Sequence, residues 1–428
     1  MVSLNRLLTK NSALPWRIRH PLEKWIELRA RERYPKLYRF LHLGKSKDIA
    51  RPVTSGPNHH FFGYYEKSPW NTSGNLLLAH EATFNDRAPK ADDRITVGRV
   101  DLNNNNQFIP IARSHAWNWQ QGSMLQWHPT DPDNLVIYND RIGKRFVGVA
   151  HDLRNDETQI YDQPIYAITP DGDTGFSLNF SRLAQHRPGY GYEGIKDQWE
   201  DLKYPENDGI FSLDLESGRA ELIVTLASLA ELNPKPSMQN AWHYVNHIQV
   251  SPSGQSIAFF HIWHQDKTSW EVRLYTCHPN GSDLRCLLDT GTISHYDWRD
   301  DNHILIWANK PHLGERFLLC NVPSGANQVF GDGILTTDGH CSYSPDRNWI
   351  LNDTYPDNYM MRTLMLVQAG NTERIDLARL YSPKERWWGE IRCDLHPRWN
   401  RNGTQVCIDS VHSGERQMYI IDVTEYVR

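Results

Sequence analysis

From about residue 55 onward the chain alternates short β-rich apolar runs with clusters of turn-forming residues, and helical periodicity fades. The clearest unit is a Ser-Pro-Asp-Gly-like turn that leads into an apolar strand. It occurs as SPSGQSIAFF at 251, SPDRNWIL at 344 and NRNGTQVCI at 400. Weaker copies are RDDNHILIW at 299, TPDGDTGFSL at 169, HPTDPDNLVIY at 128 and SPWNTSGNLLL at 68. Turn-forming residues head each copy, as a tight hairpin requires. Most of the seven copies are about 40 to 56 residues apart, which is the period of a four-stranded propeller blade; strand and turn content argues against paired-helix repeats. The pattern predicts an all-β fold, a seven-bladed β-propeller over 49–428. The last unit offers three strands, near Cys393–Arg398, Thr404–Asp409 and Gln417–Asp422. A segment near Ile49–Thr54 is expected to add the fourth and close the ring.

Residues 1–48 read differently. Within them, residues 20–45 are rich in Lys and Arg and place Leu22, Trp25, Ile26, Leu28, Leu37 and Leu41 at helical spacing, with Pro35 dividing the pattern in two. A helical N-terminal arm is predicted, either packed on the ring or serving as a basic amphipathic dock for a membrane surface or a partner protein. The arm shows no continuous apolar stretch ending in a cleavage site, and no run of 18 apolar residues occurs anywhere. The expected location is therefore cytoplasmic, peripheral to a membrane if the arm docks there.

Composition narrows the function classes. The 428 residues carry 46 Lys+Arg against 51 Asp+Glu, a near-neutral balance that argues against nucleic acid as a partner. Six cysteines without a C-x-x-C pair read as reduced core thiols rather than a zinc knuckle or redox motif. Twenty histidines are the compositional excess that matters.

Four of them share one place in the repeat. His247, His295, His340 and His396 each lie four residues before the turn of units four to seven. In units two and three that place is taken by Met124 and Ile165, and in unit one by Tyr64. The first strand of a blade runs beside the central channel, so four imidazoles from adjacent blades are expected at one level of the channel mouth. Asp394 lies two residues before His396 and shares its face, because strand side chains alternate. Imidazoles with a carboxylate suit a divalent transition metal or an acid/base site. The loops that follow the second strands should reach the same face, among them those with Asp353, Tyr355, Asp409 and His412. The insertion SRLAQHRPGYGYEGIKDQWEDLKYPEN in unit three brings Arg182, Arg187, Tyr190 and Tyr192, and reads as a lid or substrate wall. His59, His60 and Tyr65, at the opening of unit one, and Trp388, before unit seven, are further candidate substrate contacts.

The stretches NHIQVSPSG, SHYDWRDD and DLHPRWNRNG, in this order, resemble the histidine-led strands of oligogalacturonate lyases, seven-bladed propeller polysaccharide lyases. The resemblance implies β-elimination on a uronic-acid-containing glycan. It implies that His247 is the proton-abstracting base and that His295 and His396 are metal ligands, with manganese as the metal. Asp394 falls where the family has a third histidine ligand, and Ile391 falls where it has a glutamine, a departure that invites His340 into the set. Arg182, Arg392 and Arg398 are the candidates for neutralising the substrate carboxylate, and Tyr64 for proton donation to the leaving oxygen. The expected partner is an acidic oligo- or polysaccharide. The alternative is a non-catalytic glycan-binding or assembly propeller working with a polysaccharide biosynthesis system.

Overall fold

The computed structural model describes residues 49–370 and 373–428; the arm predicted over 1–48 lies outside them. Seven four-stranded antiparallel sheets make up the ring. Blade 1 is built from His59–Phe61, Leu76–Ala82, Ile95–Asp101 and Gln107–Ser114, and blade 2 from Gln126–Trp127, Leu135–Ile142, Arg145–Asp152 and Glu157–Tyr161. Blade 3 comprises Ala167–Ile168, Thr174–Leu178, Gly209–Asp214 and Ala220–Thr225; blade 4 comprises Trp242–Val250, Ile257–His264, Glu271–Cys277 and Arg285–Gly291. Ile293–Asp300, His303–Lys310, Gly314–Asn321 and Asn327–Val329 form blade 5. Ser342–Tyr343, Trp349–Asp353, Met361–Gln368 and Arg374–Tyr381 form blade 6.

Blade 7 combines two distant parts of the chain. Arg398–Trp399, Gln405–Ser410 and Gln417–Asp422 are joined by Arg51–Pro52, which pairs antiparallel with the last of them, Arg51 opposite Ile420. Arg398 reinforces this seam. Its guanidinium lies 2.5 Å from the Asp409 carboxylate and donates to the carbonyls of Gly63 (2.8 Å) and Tyr64 (3.3 Å).

The second and third strands carry the core, because both of their faces pack against neighbouring blades. Ile257–His264 is buried at every position, and so is Trp349–Asp353. Such strands read as apolar runs rather than as alternation. Five of the seven innermost strands have only two or three residues, and a bulge interrupts the longest, Trp242–Val250, between Asn246 and Gln249. The site position four residues before the turn adopts a left-handed backbone in three blades: φ is +55° at Met124, +54° at His247 and +41° at His396. This conformation is uncommon for any residue with a Cβ, although His tolerates it better than branched residues do. It turns the chain sharply where the strand enters from the mouth.

The insertion of blade 3 begins with the helix Phe180–His186, capped by the Asn179 side chain. Its anchor is Arg182, which is buried and donates from all five N–H groups. Nε reaches the carbonyl of His243 (2.6 Å), one terminal nitrogen reaches Asp197 (3.0 Å) and the carbonyl of Trp199, and the other reaches the carbonyls of Leu202 and Lys203. Tyr192 stacks on Phe180 at 4.2 Å and accepts from the Asn139 side chain. Both residues fasten the insertion to the ring.

Candidate active site at the channel mouth

The four histidines converge around Tyr64. Its ring centroid lies 5.0 Å from that of His247, 4.9 Å from His396, 5.9 Å from His340 and 6.5 Å from His295. Tyr64 follows Gly63, whose φ of +133° and close approach to the Gln121 carbonyl exclude a side chain there. The Tyr64 hydroxyl lies 3.5 Å from His247 Nε2, and Tyr190 from the insertion sits edge-on to both rings.

His340, His396 and Asp394 form the tightest group: one ligand atom from each lies within 4.8 Å of the others. Asp353 accepts at a single oxygen from both the backbone N–H and the Nδ1 of His340, each at 2.8 Å. With the proton on Nδ1, the lone pair of His340 is on Nε2. That Nε2 is buried and has no hydrogen-bond partner among the described residues, and the same holds for Nε2 of His396. Burying such atoms without a partner is unfavourable, so two orphaned nitrogens beside a carboxylate are what a metal centre would resolve. With a metal at His340, Asp353 would be the outer carboxylate that orients the ring.

Asp394 also has a second task. One oxygen is 2.6 Å from the fully buried Arg362 guanidinium, and the other accepts from Arg392 Nε at 2.7 Å. Burial opposes its charge, but these two cations more than offset that and hold its carboxyl well below the usual range. A carboxylate has about four lone-pair directions, so both ion pairs leave room for a further bond. We expect Asp394→Ala to destabilise the fold by about 3 to 5 kcal/mol, because it strands a buried arginine. The denaturant midpoint reports this, and Arg362→Met in the same chain should recover most of the loss.

His295 packs against His340 at 4.1 Å but stays outside that group, with its Nδ1 3.0 Å from Asp338. Burial disfavours its protonated form; Asp338, then Asp353 and Asp394, outweigh that and leave its pKa above the ordinary value. His247 is shifted the other way, well below its ordinary value, first by burial and then by His295, Arg187 and His340. It is neutral at pH 7 and keeps a lone pair.

Arg392 is at the mouth, bridging Asp394 and the Tyr190 hydroxyl (2.6 Å). Seven other residues expected here are placed differently. Arg182 has no free donor, Tyr192 is core, and Arg398 belongs to the blade seam. His59 contacts Asn85 and Glu415, and His60 contacts Gln417 and Glu81, both at the junction of blades 1 and 7. Tyr65 donates to the Tyr296 carbonyl (2.9 Å) and accepts from the Tyr296 N–H, which makes it a strut under the site. Trp388 is 60% exposed and stacks under Lys384. Asp338 and Arg362 were not anticipated. Asp338 precedes His340 by two residues, as Asp394 precedes His396, and that repeated Asp-x-His was the available signal. A lone arginine in an apolar third strand gave none for Arg362.

No family model matches the sequence, and no curated protein matches it. Solved structures do. The chain superposes on an oligogalacturonate lyase from Vibrio parahaemolyticus with a TM-score of 0.63 at 14% identity, covering 90% of this chain and 96% of that one. An oligogalacturonate lyase in complex with manganese gives 0.64 at 13% identity, covering 88% and 94%. The chain shares the seven-bladed fold of oligogalacturonate lyases. A prolyl endopeptidase matches less well, with a TM-score of 0.50 at 10% identity over 51% of its chain. The likeness therefore establishes the propeller, and the chemistry has to be argued from the side chains of this chain.

Proposed function

We propose that the protein is a lyase that cleaves a uronate-containing oligosaccharide by β-elimination, with a divalent transition metal held by His340, His396 and Asp394. The observation that carries the reading is the pair of orphaned Nε2 atoms beside the Asp394 carboxylate, with neutral His247 and the Tyr64 hydroxyl adjoining them. Asp338, Asp353 and Asp394 face Arg362, Arg392 and the raised His295, so the group carries little net charge without a metal. A divalent cation would add two positive charges and favour an anionic substrate. The bound ion would supply Lewis-acid stabilisation of the uronate carboxylate, which acidifies the C5 proton.

The rest of the chemistry falls to the chain's own groups. His247 accepts the C5 proton at Nε2, and the electron pair moves to form the C4–C5 double bond as the C4–O bond breaks. Tyr64 is positioned to return a proton to the leaving oxygen. Arg187, held between the rings of Tyr190 (5.3 Å) and Trp270 (4.4 Å), has no ion-pair partner among the described residues and is placed to meet substrate acid groups beside His247.

The test is incubation with oligogalacturonate and other uronic-acid glycans, with and without Mn²⁺, following the ultraviolet absorbance of the unsaturated product. Manganese is expected to raise both the rate and the melting temperature, and His340→Ala with His396→Ala should abolish both effects. No product with any uronate glycan, with manganese present, would reject the reading. A glycan-binding propeller without turnover is favoured by one observation: Tyr64 fills the centre of the histidine group and is only 4% exposed. Saturable glycan binding without product is the result expected of that alternative.

A further inference from the structure

At the other end of the channel the innermost strands line an open cavity of about 530 Å³. The histidines stand where these strands begin, and the cavity lies where they end. Its walls come from all seven blades, and the turns after the strands form its rim through Pro129, Pro170, Pro252 and Pro345. Tyr65, locked to the backbone of Tyr296, lines it on the side toward the histidines. The volume lies in the range of small-molecule sites.

The wall is rich in fixed acceptors. Gln126 donates its amide to the Met124 carbonyl (3.2 Å) and Gln249 donates to the Tyr296 carbonyl (2.9 Å). Each therefore keeps its Oε1 as an acceptor with no protein donor among the described residues. Ser68 donates to the Trp399 carbonyl and likewise retains its oxygen lone pairs. Asp297 accepts from the Tyr343 N–H (2.7 Å) and has no ion-pair partner among the described residues.

Charge is nearly balanced. Glu66 is paired with Lys67 at 2.7 Å, and Arg398 with Asp409. Arg347 and Arg401, which come from the turns, have no ion pair of their own among the described residues; Arg347 donates to the Trp298 carbonyl (3.2 Å) and Arg401 to that of Trp70 (3.1 Å). Neither a strong anion nor a strong cation is matched by this lining. A ligand that donates several hydrogen bonds, accepts a few from guanidinium groups and carries no net charge is matched.

We infer that this cavity is a binding site for a neutral, hydroxyl-rich ligand of mono- or disaccharide size, separate from the histidine mouth. Hydroxyls donate to the carboxamide and carboxylate oxygens and accept from the arginines, and the faces of sugar rings suit the aromatic part of the lining. Burial raises the Asp297 carboxyl to about 6, in keeping with a group that gains from a hydroxyl donor. The site does not depend on the lyase reading, since none of its residues belongs to the histidine group.

The test is titration calorimetry and ligand-observed NMR on the full chain with glucose and cellobiose, against glucuronate, glucosamine and a neutral blocked dipeptide. One saturable site with a dissociation constant in the millimolar range or tighter is expected for a neutral sugar. Gln126→Met should weaken it about tenfold, the size of one lost hydrogen bond to a fixed acceptor. Asp297→Asn should weaken it similarly, whereas His340→Ala should leave it unchanged. If Asp297→Asn does not fold, Gln126→Met decides alone. The inference is overturned if no neutral sugar saturates a site, if Gln126→Met leaves binding intact, if His340→Ala removes it, or if a charged sugar or the dipeptide binds more tightly.

Discussion

Replacing His247 with alanine is expected to lower kcat/KM on a uronate oligosaccharide by about 10²- to 10⁴-fold, the usual contribution of a general base. The loss should fall on kcat, with KM little changed, because the imidazole's one side-chain hydrogen-bond contact is the long one to the Tyr64 hydroxyl and its position is set by the backbone turn at φ +54°. Burial keeps the ring neutral, so the group arrives at substrate with its lone pair available. Tyr64→Phe keeps the ring in contact with the imidazole and removes only the hydroxyl. Its loss should be smaller and should shrink further on substrates with a better leaving group. Product formation that survives His247→Ala unchanged would sink the base assignment.

Acid is expected to unfold this protein early. Burial pushes His80 and His186 down to about 3 and His243 to about 4, and holds His247 and His261 well below their ordinary value. The unfolded chain protonates these rings near 6.5, whereas the folded chain does not, so stability is present above that pH and is lost as pH falls. Asp208 and Asp297, raised to about 6 chiefly by burial, act in the opposite direction: the folded state holds their protons more tightly than the unfolded state. The lowered histidines outnumber the raised groups, so stability is expected to fall steeply between pH 6 and 5. Total stabilities of about 5 to 15 kcal/mol do not survive that for long. Urea unfolding measured stepwise from neutral to mildly acidic pH reads the slope directly. A flat profile across that window would mean that the buried histidines do not control stability.

The same burial explains what the sequence could convey. The seven hairpin turns were legible because turn geometry is local and restricts residue choice to Pro, Asp, Asn and Gly. The shared register of His247, His295, His340 and His396 was legible because a propeller repeats one strand at one distance from the axis. The roles of the arginines were not. Arg182, Arg362 and Arg398 are all buried cations whose partners are set by tertiary packing, and nothing in their neighbours along the chain separates a strut from a substrate clamp. His59 and His60 were misplaced for a related reason: they stand at the junction of the first and last blades, where the repeat is completed by Arg51–Pro52 rather than by contiguous sequence. Asp394 is an intermediate case. Its alternation with His396 placed it correctly at the mouth, but its two arginines come from another strand and from the loop before it.

The seam that joins Arg398 and Asp409 to the backbone at Gly63 and Tyr64 also has a meaning in time. The central tyrosine is fixed by a residue 334 positions further along the chain. A ribosome adding about 5 to 20 residues per second needs roughly 15 to 70 s to bridge that interval. Until then the early blades emerge with Tyr64 unanchored and without His396, so a growing chain carries no assembled mouth. Synthesis of the last blade, closure of the ring and assembly of the site thus become a single event.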